Sequence, residues 1–117
     1  MRNDYRLAGR LVGMDRRHVS TGTEWESQVG YSRAIRVGDT VRVAGTIAID
    51  ALAELDASAD DVVATRMYVT DMSYQEAVGR AHREVFGDVR PAAMMVEVSG
   101  LAAEGAVVEV EVEAISG

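Results

Sequence analysis

The sequence predicts an α+β protein in which one mixed β-sheet carries its helices on a single face. Three patterns predict this class: a hairpin centred on Gly38-Asp39, two later segments with alternating apolar residues, and one segment with apolar residues at helical spacing. The predicted order is strand, strand, short helix, strand, helix, strand, strand, without an internal repeat. This order differs from the regular strand–helix alternation of α/β proteins.

The hairpin is predicted for Arg33 to Val37 and Thr40 to Ile49. Gly38 tolerates the positive φ that a two-residue hairpin turn requires. The second arm is interrupted by Gly45 but otherwise places its β-branched residues on one face, and these are Val41, Val43, Ile47 and Ile49. A glycine inside a strand marks either a bulge or a close approach to the backbone, and both explanations stay open at this stage.

A short helical turn, Ala51 to Leu55, and a polar turn precede a strand predicted at Val62 to Thr70. In this strand Val63, Met67 and Val69 share one face. The other face is apolar too, with Val62, Ala64 and Tyr68. A single layer of helices covers only one of two such faces, so the pattern predicts that the second face meets a partner copy.

The most regular helical pattern follows Ser73, which forms an S-x-x-E capping-box motif with Glu76. Apolar residues then recur at helical spacing as far as a C-cap at Gly87, and they are Tyr74, Ala77 or Val78, Ala81 and Val85. His82 is predicted to face away from this apolar row, which is typical of a surface residue.

Two strands end the predicted order. Pro91 begins the first of them without needing an amide partner, and its alternating residues are Met94, Val96 and Val98 on one side and Met95 and Glu97 on the other. In the second, Val107 to Ile115, one face is predicted to be core and the other acidic. The core face has Val108, Val110 and Val112, and the acidic face has Glu109, Glu111 and Glu113.

Length and composition fit one globular domain. The chain has 117 residues, 48% of them hydrophobic, and a net charge of −7. It has no cysteine and only two histidines, His18 and His82, so neither a metal site nor a cofactor is expected. We find no apolar run suited to a signal peptide or a membrane span and expect a cytoplasmic protein. The acidic balance disfavours nucleic-acid binding, because nucleic-acid binders usually show a basic face.

Several stretches of the chain have the order and spacing of one known family. They are Gly30 to Ala34 running into Val41 to Gly45, Val62 to Asp71, Arg90 to Val98, and the closing Val110 to Ile115. Together they resemble the RidA superfamily, also called the YjgF or endoribonuclease L-PSP family. The resemblance implies a chorismate-mutase-like fold, a homotrimer, and three clefts at the subunit interfaces that bind small molecules.

The resemblance also implies a set of cleft residues. In imine deaminases of this family a glutamate of the last strand positions the water that attacks the imine carbon, and this glutamate falls on Glu111. The cleft tyrosine falls on Tyr31, and the backbone next to the substrate falls on Gly45. Without the resemblance, Glu111 would belong to an ordinary solvated acidic face and Tyr31 to the core or an interface, and these alternatives stay open.

Ala93 is the main departure from the family pattern. It occupies the position of an arginine that grips the substrate carboxylate in those deaminases. We therefore expect poor hydrolysis of carboxylate-bearing imines, and we expect Ala93→Arg to improve it. Met95 is either a packing residue or, at a cleft position, a residue that would make the cleft apolar and adaptable. Arg90 does not replace the arginine, because an offset of three residues in a strand points it to the opposite face.

Two further departures concern length. Members of the family usually carry a loop and most of a long helix between the positions of Asp50 and Leu52, where this chain has one residue. A crossover between parallel strands needs about a dozen residues, so Asp50 to Asp61 just suffices, and we expect irregular backbone at Asp50 to Leu52. Met14 to Arg17 resembles a family start, which makes Met1 to Gly13 an N-terminal extension and residues 14–117 the single domain.

The function favoured by the resemblance is that of a RidA-like trimer. It binds a small metabolite in inter-subunit clefts and hydrolyses a reactive imine or enamine intermediate, as a 2-iminoacid deaminase does. A non-catalytic ligand-binding or regulatory trimer is the alternative, and Ala93 favours it. Endoribonuclease or translation-inhibitor activity is disfavoured by the net negative charge.

Overall fold

The computed structural model describes residues 16–20, 22–45 and 48–117. The strands of this part of the chain are β1 (Arg16–Val19), β2 (Ala34–Val37), β3 (Thr40–Ala44), β4 (Val62–Val69), β5 (Ala92–Glu97) and β6 (Val108–Ile115). Its α-helices are α1 (Glu24–Val29), α2 (Ala48–Glu54) and α3 (Gln75–Phe86). The strands form one sheet in the order β1-β2-β3-β6-β4-β5.

The connections of this sheet explain its mixed character. β4 and β5 are parallel and are joined by α3, whereas the other neighbouring pairs are antiparallel. β3 and β4 lie on either side of β6 and are both antiparallel to it, so they run parallel to each other. The segment that contains α2 makes this crossover in fewer than twenty residues. The predicted α+β class and the predicted mixed sheet are confirmed.

Helix α2 is short but well buried. Ala51, Leu52 and Leu55 are at most 2% exposed and pack on the sheet against β3 and β6. The other buried members of this core are Val19, Ala34, Val41, Val43, Ala57, Val62, Phe86, Val112 and Ala114. Val43 and Val112 are cross-strand partners, as are Val112 and Thr65, so these residues lie on the face of the sheet that α2 covers.

Helix α3 lies on the same face but is less buried. His82 Nε2 lies 2.8 Å from Thr65 Oγ1, and Phe86 is the residue of α3 that is buried in the core. Val85, by contrast, remains 45% exposed. The helices α2 and α3 therefore share one face of the sheet, which we call the helix face, and they cover it unequally.

The hairpin is confirmed, but its second strand ends earlier than predicted. β3 stops at Ala44, because Gly45 has a φ of 111°, which breaks the extended backbone. Ile49 lies in α2 and is 44% exposed, so its predicted place in the strand is wrong. Ile47 lies outside the described residues. The expectation of irregular backbone at Asp50 to Leu52 is also wrong, because one continuous helix runs through these positions.

A β-bulge changes the predicted pattern of β4. The pairing of β4 with β6 shifts register between Val62 and Ala64. Val62 is consequently buried at 3% exposure, whereas Val63, predicted to share a face with Met67 and Val69, is 43% exposed. Beyond the bulge the alternation holds, since Thr65, Met67 and Val69 are all buried.

The start of α3 differs from its predicted capping box. A 3-10 turn, Met72–Tyr74, precedes the helix, and the Asp71 carboxylate accepts the Ser73 N–H at 2.8 Å. Asp71 is thus the N-cap of this 3-10 turn, and the predicted N-cap role of Ser73 is wrong. The hydrogen bond from Ser73 lowers the pKa of the Asp71 carboxyl. The end of α3 at Gly87 agrees with the prediction.

The structure also contains two elements that the pattern analysis did not predict, β1 and α1. Thr23 caps α1 by accepting the Glu26 N–H, and Gly30 ends it in the left-handed conformation with a φ of 90°. The predicted N-terminal extension, Met1 to Gly13, lies outside the described residues.

Candidate functional site

The face of the sheet opposite the helices, which we call the open face, carries charged side chains in cross-strand rows. In one row Ala44 pairs with Glu111, Glu111 with Arg66, and Arg66 with Met94. Directly paired residues of neighbouring strands project from the same face. The sheet therefore brings the predicted catalytic glutamate, Glu111, beside an arginine that no sequence pattern had singled out.

Two side chains of β4 hold the Glu111 carboxylate. The Tyr68 hydroxyl donates to Oε1 at 3.2 Å, and Arg66 Nη1 lies 3.6 Å from the same oxygen. The Glu111 side chain is 34% exposed. Among the residues that the structure describes, its second oxygen, Oε2, has no hydrogen-bond partner. One oxygen of the carboxylate is thus fixed, and the other is available to a water molecule or a ligand.

Tyr68 is suited to remain a donor to this carboxylate. Burial raises the pKa of its phenol, and the negative charge of Glu111 and the hydrogen bond to it raise the pKa further. The hydroxyl therefore keeps its proton at any ordinary pH and continues to donate to Oε1.

The next row of the open face is charged in the same way. Glu113 lies 3.4 Å from Arg42 Nη2 and 4.0 Å from Arg66 Nη2. Arg66 therefore bridges Glu111 and Glu113. At Glu111 and Glu113 the predicted acidic face of β6 is half-buried in ion pairs rather than fully solvated. Of the predicted core valines, Val112 is buried, whereas Val108 and Val110 are only partly buried.

Tyr31 and Gly45 both lie beside the side chain of Arg33. The Arg33 Cζ atom lies 5.9 Å from the centroid of the Tyr31 ring. Its Nη1 donates to the carbonyl of Ala44 at 2.7 Å, next to Gly45. The structure thus brings Tyr31 and Gly45 close to the row that contains Glu111.

Ala93 and Met95 are placed differently. Ala93 pairs with Thr65, and Met95 pairs with Met67, so both belong to the helix face. Glu111 belongs to the open face, because its partner in β4 is Arg66. Within one chain, the predicted cleft positions of β5 and the predicted catalytic glutamate therefore project to opposite sides of the sheet.

A second concave region lies on the helix face, between α3 and the sheet. It is a cavity of about 530 Å³, within the usual range for small-molecule pockets. Its lining is mainly apolar and includes Gly45, Met67, Ala81, Val85, Val110 and Val112. Two polar side chains, those of Asp50 and His82, also reach it.

His82 is not the outward-facing surface residue that the helical spacing predicted. It is half-buried, its ring centroid lies 4.9 Å from that of Phe86, and its Nε2 is hydrogen-bonded to Thr65. Burial lowers the pKa of its imidazole. The helix is rotated so that His82 faces the sheet, because Phe86, four residues later, is the anchor of that face.

Sequence reasoning assigned no role to Arg33, Arg66, Tyr68 or His82. Arg66 and Tyr68 project from the same face of β4 as Ala64. An Arg–x–Tyr pair opposite a row of glutamates could have suggested an ion-paired face. That signal depends on the strand order, however, because β4 and β6 are far apart in the sequence and are neighbours only in the folded sheet.

Fold and site together define a small α+β protein with two helices on one face of a mixed sheet and a half-exposed carboxylate on the other. The family model of endoribonuclease L-PSP matches residues 50–116. The chain belongs to this family, the RidA/YjgF superfamily that the sequence motifs resemble. Within the described residues, no helix is long and apolar enough to span a membrane, and no cluster of three or more potential metal ligands occurs.

Three relatives illustrate the similarity. An uncharacterized protein of Streptomyces coelicolor is 34% identical over 124 residues, covering 86% of this chain and 92% of its own length. A RutC family protein of Pyrococcus abyssi is 33% identical, covering 74% of this chain and 84% of its own. The crystal structure of Rv2704 of Mycobacterium tuberculosis, a member of the YjgF/YER057c/UK114 family, matches with a TM-score of 0.80 and 44% identity. The match covers 86% of this chain and 99% of that one.

The first of these similarities shows a difference in length between the two chains. The aligned region is longer than this whole chain, 124 against 117 residues, although it covers only 86% of the chain. The Streptomyces relative therefore has residues that this chain lacks.

Proposed function

We propose that this protein binds a small metabolite at the end of the open face formed by Tyr31, Gly45 and Glu111. We also propose that Glu111 can position a water molecule there for hydrolysis of an imine. The observation that carries the proposal is the state of the Glu111 carboxylate, which is half-exposed and held by Tyr68 and Arg66 through one oxygen only. A side chain held in this way is oriented without being blocked.

The chemistry of this carboxylate suits the proposed step. Water attacks the imine carbon while Glu111 accepts one of its protons, and a tetrahedral carbinolamine forms. The carbinolamine nitrogen is then protonated and leaves as ammonia, and a carbonyl compound remains. Tyr68 and Arg66 support the step by fixing the carboxylate, because an orientation effect of this kind contributes several kcal/mol to a barrier when the geometry is right.

An assay of imine disappearance tests this role. An amino-acid oxidase generates the imine, and its decay is followed for the wild type, Glu111→Gln and the matched control Glu109→Gln. Because Ala93 stands in place of the arginine that binds the substrate carboxylate, we expect the wild type to accelerate decay only weakly. We expect Glu111→Gln to lose that acceleration, since a positioned general base contributes roughly two to four decades. Glu109→Gln should retain it. Equal acceleration by the wild type and Glu111→Gln would refute the role.

We further propose that the chain forms a homotrimer in which partner copies cover the open face. The support is the half-buried state of Arg66, Glu111 and Glu113 on a face that neither α2 nor α3 covers. Sedimentation equilibrium should give three times the chain mass at micromolar concentration. A monomer under these conditions would contradict the proposal and remove the inter-subunit cleft.

A non-catalytic ligand-binding protein is the second candidate, and the cavity under α3 favours it. Its apolar lining suits an apolar molecule, and the Thr65-bound His82 offers one polar contact. A thermal-shift screen separates the candidates, because a ligand of the native state raises the unfolding midpoint whatever its chemistry. Stabilisation by apolar compounds that persists in Glu111→Gln but not in Ala81→Trp, which fills the cavity, would support this second candidate.

A further inference from the structure

Arg33 lies at the end of the row that contains Glu111. The Ala44 N–H donates to the Arg33 carbonyl at 3.0 Å, which extends the pairing of β2 and β3 by one residue. Arg33, Ala44 and Glu111 are thus successive cross-strand positions. Neighbouring strands are about 4.8 Å apart, so the Cα atoms of Arg33 and Glu111 are separated by about 10 Å. Only the methyl group of Ala44 stands between them in this row.

The guanidinium of Arg33 is held in place by the backbone beside it. Its Nη1 donates to the Ala44 carbonyl at 2.7 Å. A Cβ atom at position 45 would come within 2.7 Å of the same nitrogen, so Gly45 provides the space in which the guanidinium lies. The aromatic ring of Tyr31 is close enough for a cation–π contact, at 5.9 Å. These contacts fix the orientation of the group before any ligand arrives.

Most of the hydrogen-bonding capacity of this group is unused. A guanidinium has five N–H donors. Within residues 16–20, 22–45 and 48–117, the Ala44 carbonyl is the only hydrogen-bond acceptor for the Arg33 side chain, and no carboxylate lies within ion-pair distance of it. Arg66 and Arg42, by contrast, are both paired with glutamates. A half-buried guanidinium with free donors in one plane is suited to bidentate contact with a carboxylate.

We propose that Arg33 binds the carboxylate of a small ligand whose body lies over Ala44, with its other end beside Glu111. The ligand class is a short monocarboxylate, because the space between the two side chains is small and a second negative charge would meet Glu111. The inference rests on the proposed binding of a metabolite at this end of the sheet, but it does not depend on hydrolysis.

Titration with propionate tests the inference on the full chain. Binding is followed by NMR through the side-chain Nε–H signal of Arg33, and propionamide, which has the same shape without the charge, is the control ligand. We expect a propionate-dependent shift of this signal and none with propionamide. Arg33→Gln should weaken propionate binding by about tenfold or more, the usual loss of a charge-assisted contact. Arg42→Gln, an arginine of the same face that is already ion-paired, should bind propionate as the wild type does.

A loss of propionate binding can be distinguished from a loss of folding and from a loss of catalysis. If Arg33→Gln fails to fold, Arg33→Lys keeps the charge but not the planar donors and should still bind more weakly than the wild type. Equal affinity in the wild type and the Arg33 variants, or an Arg33 signal unmoved by propionate, overturns the inference. Should Glu111→Gln retain imine hydrolysis while the Arg33 variants lose propionate binding, the proposed catalysis fails and the role of Arg33 stands.

Discussion

The helix face of the sheet carries core residues and the open face carries ion-paired side chains, although the same strands contribute to both faces. In β6, Val112 and Ala114 point to the helix face and are fully buried, whereas Glu111 and Glu113 point to the open face and are half-buried in ion pairs. A shift of one residue along the strand therefore changes a side chain from a core residue into a candidate ligand contact.

The helix face is itself uneven, and this contrast also has a physical cause. Under α2 the side chains are almost completely buried, but under α3 a cavity of about 530 Å³ remains. The crossover from β3 to β4 is short and provides only the seven residues of α2. Such a helix contacts β3 and β6, and its residues Ile49 and Asp50 reach only the border of the cavity beside α3.

Leu52→Ala should have the largest effect on stability. Leu52 is 0% exposed at the centre of the packing between α2 and the sheet. We expect the free energy of unfolding to fall by about 2–5 kcal/mol, because the substitution leaves a cavity in a site that is already tightly filled. Urea denaturation measures the change. Val107→Ala, at a position 41% exposed, is the control and should cost less than about 1 kcal/mol. Equal losses would show that the core does not lie under α2.

Ala93→Arg should have the next largest effect, on turnover. An arginine at this position would add a bidentate contact to a substrate carboxylate, and we expect hydrolysis of carboxylate-bearing imines to increase by about tenfold. In one chain the new side chain would project from the helix face, opposite Glu111. A gain in the imine assay therefore requires that the two faces meet across a subunit interface. Unchanged turnover in a folded trimer would argue against such a shared cleft.

His82→Gln should have the smallest effect, visible as a change in the pH dependence of stability. Burial lowers the pKa of His82 in the folded protein below its ordinary value of 6.5. The unfolded chain therefore binds a proton more readily, and the wild type should lose stability as the pH falls through 6.5 toward the lower folded pKa. Glutamine does not titrate but can still bond to Thr65, so this part of the acid sensitivity should disappear. Thermal melts from pH 7.5 to pH 5 that show the same slope for both proteins would contradict the assignment.

The sequence predicted the elements best where a single local rule decided them. Alternation in Val107 to Ile115 assigned the valines and the glutamates to the correct faces, although only Val112 of the three predicted core valines is buried. The rule failed at Val63, because the bulge in β4 inserts a residue that only the pairing with β6 reveals. It failed at Ile49 because the φ of Gly45 ends the strand, and a glycine alone does not indicate whether it marks a bulge or a close approach to the backbone.

The sequence by itself determined the fold class, the faces of the last strand and, through its motifs, the family. These depend on local periodicity and on residue identity at a few spaced positions. Only the tertiary structure decided that Arg66 and Tyr68 hold Glu111, that Arg33 stands two strands away from it, and that Ala93 projects to the other side. The reason is physical: cross-strand neighbours are set by strand order and register, and both arise from long-range pairing that no local pattern encodes.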